Sequence, residues 1–195
     1  MLCLLAAPSF ARADAKVAVD ARTLDAPCRT VASVPDDARS IVPTLEAYVS
    51  AADCMAVIRT RALKLTVTQA SVDALDAAIR PSIDLLDTVI EQGDVARQIV
   101  AQHAKADLYQ GLAVRLLNTV PPVPPTMVGR ALADHAHQVD VATDLVRPWR
   151  ARALRAHRAV ARLADKAPRL VATNPVLAYA VGDSKLETAT GVASR

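Results

Sequence analysis

Aromatic residues and glycine are scarce in this sequence. Only 3% of its 195 residues are aromatic, and it contains five glycines. This composition disfavours a β-sandwich and suits a helical bundle, because strands are enriched in aromatic residues and their turns need glycine. The hydrophobic residues make up 52% of the chain and are mostly Ala, Val and Leu. The sequence therefore predicts an all-α protein with a single domain.

The short motifs of common catalytic and cofactor sites are also missing. There is no Cys-x-x-Cys-His for covalent haem, no glycine-rich phosphate loop and no Gly-x-Ser-x-Gly turn. His135 and His137 are two residues apart, so on a helix they point to different sides. His103 is expected about 12 Å along the bundle from His135. The sequence therefore predicts no catalytic residue, no cofactor and no metal site.

Long apolar runs do not occur beyond the N-terminus. No stretch of 18 uncharged apolar residues is found there, whereas a membrane-spanning helix needs about 20, so no mature transmembrane helix is predicted. Residues 1–13 do contain an apolar core, followed by the small-x-small pattern of a signal-peptide cleavage site, Ala11-Arg12-Ala13. We therefore predict a periplasmic or secreted protein. The alternative is an ordinary buried N-terminal segment.

Cysteine is rare, and removal of residues 1–13 leaves Cys28 and Cys54. In an oxidising compartment two cysteines suggest one disulfide. Cys54 is expected about 21 Å along a first helix that begins near Ser40, and the intervening chain can span that distance when extended. The bridge would hold an irregular arm, residues 14–34, against the first helix. Two separate buried thiols are the alternative.

Proline, in contrast, is concentrated in the segment Pro-Pro-Val-Pro-Pro, residues 121–125. These prolines end any helix that arrives from Leu117, because proline lacks an N–H and disfavours a helical conformation in the residue before it. A new helix can begin after them, with Thr126 as its N-cap. A connection this short predicts two antiparallel neighbouring helices.

The helix after the prolines carries an unbroken heptad pattern of apolar residues, which predicts coiled-coil-like packing. His135 is its one polar member and is interpreted as a register-setting or partly hydrated core histidine. Pro148 lies inside the pattern without changing its phase, so we predict a kink rather than a break. Trp149 is interpreted as a core residue. The seam comprises Val128, Leu132, His135, Val139, Ala142, Val146, Trp149, Ala153, Ala156, Val160, Leu163 and Ala167.

The predicted bundle spans residues 35–182. A first helix can start at residues 33–37, is kinked or restarted by Pro43 and carries an apolar stripe from Leu45 to Leu63. One long helix follows, which begins near a Thr66-Val-Thr-Gln capping box and runs to the prolines, with irregularities at Pro81 and Gly93. Because the first helix is short, it covers only half of the hairpin. The expected shape is a three-helix base with a two-helix stalk.

A short helix from Asn174-Pro175 to Gly182 is predicted to close the base. Residues 183–195 are predicted to form a polar tail. The alternative architecture is a compact four-helix bundle with breaks at Gly93 and Pro148.

Charge supports the predicted register of the hairpin. If the apex lies near residue 123, the basic segment 147–169 lies beside the acidic segment 73–94. A basic segment of this kind can bind nucleic acid. Three observations argue against such binding here: the acidic neighbouring segment, the signal-like N-terminus, and a mature balance of 22 basic against 20 acidic residues. An anionic surface contact is kept as an alternative, and it would use Arg150, Arg155, Arg158 and Arg162.

The distal hairpin carries more apolar residues than a two-helix seam can bury. Surplus apolar surface marks a partner or self-association site, and the predicted residues are Leu116, Val120, Val123 and Met127. The predicted function is that of an extracytoplasmic, non-enzymatic helical protein that acts through protein–protein contact. The alternative is a periplasmic sensor or carrier that binds a small ligand between helices, which an apolar cavity near Pro148 and Gly93 would favour.

Overall fold

The computed structural model describes residues 66–193, with side chains through residue 190. Five α-helices and no strand occur within this range, which confirms the predicted all-α class. The helices are α1 (Gln69–Gln92), α2 (Val95–Leu117), α3 (Arg130–Lys166), α4 (Pro168–Thr173) and α5 (Pro175–Ala193). None of them is both long and apolar enough to cross a membrane. The signal-like segment, the N-terminal arm, the first predicted helix and the Cys28–Cys54 pair lie outside the described residues.

Two helices replace the single long helix predicted before the prolines. The chain turns at Gly93, whose N–H donates to the Val89 carbonyl at 2.8 Å, and Asp94 caps α2 by accepting from the Arg97 N–H at 2.9 Å. A Cβ atom at Gly93 would lie 2.5 Å from the Val89 carbonyl oxygen and 2.9 Å from the Arg97 Cβ. Glycine is therefore what allows so tight a turn, and the break at Gly93 belongs to the alternative architecture.

The turn folds α1 back along α2, and the two helices bury a shared apolar core. Side chains exposed by no more than 1% are contributed by both: Leu75, Ile79 and Leu86 from α1, and Leu108, Leu112 and Leu116 from α2. Trp149 of α3 joins the same core, as predicted. Burial of one such side chain contributes about 1.5–3 kcal/mol.

The prediction of a bare two-helix stalk is wrong for this part of the chain, because α1 covers the face of α2 that was expected to be left over. Leu116 is completely buried and therefore cannot belong to an exposed tip. Its burial is the consequence of the turn at Gly93.

Helix α3 is continuous through Pro148, as predicted. It begins at Arg130 rather than after Thr126, because Gly129 adopts φ 63° and forms the N-terminal boundary without a side-chain cap. The heptad seam is buried at every position from Ala142 to Val160. From Arg130 to Asp140, by contrast, every residue except His135 is exposed.

The hairpin register differs from the predicted one. His157 lies opposite Gln110 rather than near residue 89, and Arg152 lies over the ring of Tyr109. The connection over residues 118–129 is not helical, and non-helical chain covers up to about 3.3 Å per residue against 1.5 Å in a helix. A short connection therefore runs beside several turns of α3 and shifts the pairing. Arg152–Asp76 is the one described ion pair that joins the predicted basic and acidic segments.

The base is closed by α5, which begins where predicted. The side chain of Asn174 accepts from the N–H groups of Val176 and Leu177 at 3.0 and 3.3 Å. The predicted stop at Gly182 and the polar tail after it are wrong, since α5 continues to Ala193. Its inner face packs against α2 and α3 in a second apolar cluster that comprises Ile99, Val160, Ala164, Leu177, Ala180 and Val181.

Candidate functional site

A cluster of titratable side chains lies at the junction of α2, α3 and α5. Its centre is His103 on α2, which is 8% exposed. The Nε2 atom of His103 lies 3.0 Å from Oδ2 of Asp183 on α5, and its Nδ1 lies 3.6 Å from Oδ2 of Asp107, one turn along α2. Each ring nitrogen of His103 thus faces a different carboxylate. We call His103, Asp107, His157, Asp183 and Ser184 the histidine cluster.

The second histidine of the cluster, His157 on α3, is buried and packs edge-on against His103 with a centroid distance of 6.1 Å. Its Nδ1 is 3.0 Å from the Ser184 hydroxyl and its Nε2 is 3.4 Å from Oε1 of Gln110. Burial lowers the pKa of His157, and the neighbouring His103 lowers it further. A neutral ring satisfies both contacts, because Nε2 can donate to Gln110 while Nδ1 accepts from Ser184.

The histidine–serine pair is unsuited to nucleophilic catalysis. Ser184 has no exposed surface, so a substrate cannot reach its hydroxyl. A catalytic histidine is usually oriented by a third group such as a carboxylate, whereas His157 is held by an amide oxygen. The pair therefore satisfies polar groups inside the bundle. The carboxylates around His103 are more accessible, with Asp107 41% and Asp183 31% exposed.

A charged groove lies on the opposite side of the α2–α3 pair. Asp76 of α1 accepts from the Trp149 indole N–H at 3.0 Å and from Arg152 at 2.7 Å, and Arg152 lies 5.3 Å from the ring centre of Tyr109. Burial raises the pKa of Tyr109, and the adjacent Arg152 opposes that rise. Lys105 forms a further ion pair with Asp87. These contacts connect all three helices through charged groups.

Two adjoining open cavities follow this groove, with volumes of about 290 and 410 Å³. The smaller is lined by acidic and basic side chains together, whereas the larger is lined by Lys105, Arg152, Arg155 and Arg162 along with small and polar residues. Neither is the predicted apolar cavity near Pro148 and Gly93, since neither residue lines them and both contain several charged side chains.

The four arginines of the predicted anionic contact do not form one face. Arg155 and Arg162 are seven residues apart on α3 and line the larger cavity together, as that spacing requires. Arg150 and Arg158 are exposed but do not line it. The structure therefore brings together half of the predicted set and adds Lys105 and Arg152.

The third feature is the tip, formed by the connection over residues 118–129 and the first turns of α3. The residues predicted to be exposed there differ in burial. Val123 is 48% exposed, whereas Val120 and Met127 are half-buried and Leu116 belongs to the core. Three members of the predicted heptad seam are also exposed there: Val128 at 74%, which precedes α3, and Leu132 at 42% and Val139 at 39% within it. We call these three residues the tip seam.

His135 anchors the tip to the end of the proline segment. It is 8% exposed, and its Nε2 lies 2.7 Å from the carbonyl oxygen of Pro121. This contact holds the connection against α3 at the middle of the seam, and Leu132 and Val139 on either side of His135 stay partly exposed. The interpretation of His135 as a buried polar seam residue agrees with this placement.

The histidine cluster was missed because its members are far apart in the chain. His103 and Asp183 are separated by 80 residues, and periodicity within one helix cannot indicate which residue of another helix will face it. One signal was present. His103 and Asp107 are four residues apart, as are Asp183 and Glu187, so each pair lies on one helical face.

Comparison of the chain with protein-family models, with curated proteins and with solved structures gave no match.

Proposed function

We propose that this is an extracytoplasmic, non-enzymatic helical protein that acts through protein–protein contact, and that the tip seam binds a second copy of the chain. The observation that carries the proposal is the contrast along one seam. Its members from Ala142 to Val160 are buried, whereas Leu132 and Val139, on either side of the buried His135, are exposed, as is Val128 just before the helix. A heptad seam packs well only when another helix supplies the facing side chains. An exposed apolar stripe of this kind marks an interaction surface.

The geometry of the tip favours a helix as the occupant. Residues 130–140 of α3 extend past the C-terminal end of α2, because His135 is already level with Pro121. Apart from His135, these residues are exposed on all sides. The open length is three helical turns, which suits one short helix packed alongside.

Charge favours an antiparallel second copy. The exposed N-terminal part of α3 carries Arg130 at its start, 3.9 Å from Asp134 of the same helix, and Asp140 and Asp144 further along, with Asp144 paired to Arg147. When Leu132 of each copy lies beside Val139 of the other, Arg130 of each lies near the two aspartates of the other, whereas a parallel pair would place like charges side by side. Exposed pairs contribute about 0–1 kcal/mol each. They therefore set orientation, while the apolar residues supply the affinity.

Analytical ultracentrifugation of the mature chain tests this proposal. The wild type is expected to show a concentration-dependent monomer–dimer equilibrium, and the double variant Leu132→Asp/Val139→Asp is expected to remain monomeric with an unchanged helical circular dichroism spectrum. Leu186→Asp is the matched control, because Leu186 is 63% exposed on α5, the helix that closes the base. A monomeric wild type, or a double variant that still dimerises, contradicts the proposal.

The extracytoplasmic location is part of the proposal and rests on the sequence of residues 1–13. Fusion of residues 1–20, extended to the upstream start codon where one exists, to a reporter that is active only after export tests it. We expect export. Mass spectrometry of unreduced peptides then tests the Cys28–Cys54 disulfide, and free thiols at both positions in exported protein would contradict it.

A small-ligand carrier is the second candidate, and the larger cavity is the observation that favours it. Its lining of Lys105, Arg152, Arg155 and Arg162 suits a small anion rather than an apolar ligand. Titration with inorganic phosphate at low ionic strength, compared between the wild type and Arg155→Gln/Arg162→Gln, tests it. Equal responses of the two proteins would remove this candidate.

A further inference from the structure

We propose that His103, Asp107 and Asp183 bind a divalent transition-metal cation of the zinc type between α2 and α5. The three side chains offer one imidazole nitrogen and two carboxylate oxygens, and the donor atoms all lie within 4.8 Å of one another. They come from two packed helices rather than from a single flexible loop. The site is separate from the tip seam, so its test is independent of the proposed self-association.

The separations approach those of a cation site. Zn²⁺ binds nitrogen and oxygen at about 2.0–2.2 Å, which places the ligand atoms of a tetrahedral site roughly 3.3–3.6 Å apart, and one ligand atom from each of the three residues lies within 4.8 Å of the others. Asp183 and Asp107 face different ring nitrogens of His103, at 3.0 and 3.6 Å. Because only one of these nitrogens binds the ion, the carboxylate on the other side turns towards it when the ion enters. The four-residue spacing of His103 and Asp107 is the usual spacing of paired ligands on a helix.

The surroundings are negative and accessible. Glu187 lies one turn beyond Asp183 on α5, and its charge, like those of Asp107 and Asp183, acts at neighbouring His157. Three carboxylates therefore act on this region of the bundle. Asp107 is 41% and Asp183 is 31% exposed, which gives an ion a path to the site and leaves room for water to complete its coordination.

The donor set indicates which cations should bind. Imidazole nitrogen suits Zn²⁺, Co²⁺ and Ni²⁺, whereas Mg²⁺ and Ca²⁺ prefer oxygen ligands alone. A site that requires His103 should therefore discriminate against Mg²⁺. A merely acidic surface would not depend on His103.

Isothermal titration of the untagged, metal-stripped mature chain with Zn²⁺ tests the proposal. Its thiols are first alkylated, since Cys28 and Cys54 would themselves bind zinc when reduced. We expect one saturable site. Loss of a partner that only orients a metal ligand costs roughly 10–100-fold in affinity, so His103→Gln and Asp183→Asn should weaken binding at least about tenfold.

His137→Gln is the matched control, because His137 is an exposed histidine on the tip helix. It should leave the affinity unchanged. Absence of saturable binding to the wild type, full binding by His103→Gln, or equally tight binding of Mg²⁺ would each overturn the proposal. Circular dichroism checks folding, and Asp107→Asn, at a more exposed position, replaces any variant that unfolds. Co²⁺ absorption with an intense visible band would give an independent readout of nitrogen and oxygen coordination.

Discussion

The two parts of α3 carry the same heptad pattern but have different surroundings. From Ala142 to Val160 the seam is covered by α2, by Trp149 contacts with α1, and by α5. Nearer the N-terminus of α3, Leu132 and Val139 continue the same spacing but are partly exposed, and only His135 between them is buried. The comparison teaches that a heptad pattern predicts which face of a helix will be buried but does not indicate what will bury it.

Trp149→Ala is expected to have the largest effect on this comparison. Trp149 is 1% exposed and its indole N–H donates to Asp76, so truncation leaves a cavity and removes one of the two hydrogen bonds that join α3 to Asp76. Truncation of a buried aromatic costs about 3–5 kcal/mol. Leu132→Ala, in the uncovered part, should change the free energy of unfolding of the monomer by less than about 0.5 kcal/mol. Urea unfolding at low protein concentration measures both, and equal losses would mean that the tip is core.

Asp76→Asn is expected to have the next largest effect. Asp76 joins α1 to α3 by accepting from both Trp149 and Arg152. The neutral amide keeps the shape but loses the charge, and hydrogen bonds to charged groups contribute about 1.5–3 kcal/mol. Asp73→Asn is the control, since Asp73 is an exposed acid one turn earlier on α1. If both variants unfold at the same urea concentration, the Asp76 contacts do not fasten α1.

Alanine substitutions at two glycines test whether the turn between α1 and α2 requires a residue without a side chain. A Cβ at Gly93 would meet the Val89 carbonyl at 2.5 Å, whereas nothing lies within 4 Å of a Cβ at Gly182. Gly93→Ala should therefore destabilise the protein by roughly 1–3 kcal/mol through local displacement. Gly182→Ala, inside α5, should stabilise it by about 0.5–1 kcal/mol. Thermal unfolding measures both variants, and we expect a lower unfolding temperature for Gly93→Ala and a higher one for Gly182→Ala. A stabilising Gly93→Ala would show that the turn tolerates a side chain.

Features with local causes could be predicted from the sequence. The all-α class, the continuity of α3 through Pro148, the burial of Trp149 and the start of α5 at Asn174 each follow from composition, from one periodic pattern or from a capping residue. These signals act within a few residues. They are therefore visible without knowledge of the tertiary structure.

Features that depend on a choice between two folded arrangements could not be predicted. A glycine inside an apolar helical pattern costs only about 1 kcal/mol relative to alanine, so the pattern around Gly93 fits a continuous helix or a turn equally well. The same weakness applies at Gly182, through which α5 continues. The pairing of His103 with Asp183 requires the packing of α5 on α2, which no local pattern specifies.

The smallest expected effect is a pH dependence of the free energy of unfolding, and it arises from His157 in the part of α3 that α5 covers. Burial, and then His103, lower the pKa of His157 below its ordinary value of 6.5 in the folded protein. The unfolded chain therefore binds a proton at His157 more readily than the folded chain does. The stability linked to this group is fully present above about pH 6.5 and is lost as the pH falls from there towards the folded-state pKa.

His157→Gln should flatten this loss, because glutamine can keep hydrogen bonds to Ser184 and Gln110 without titrating. The charged groups that face His157 are His103 and Asp107 from α2 and Asp183 and Glu187 from α5, and they are identical in both proteins. Urea unfolding between pH 7.5 and 5 in the presence of a chelator measures the slope of stability against pH and keeps metal binding out of the comparison. His137→Gln is the control, since an exposed histidine on the uncovered tip helix should leave the slope of the wild type intact. If His157→Gln keeps the wild-type slope, the acid sensitivity arises elsewhere, and burial of His157 does not distinguish the covered part of α3 from the tip.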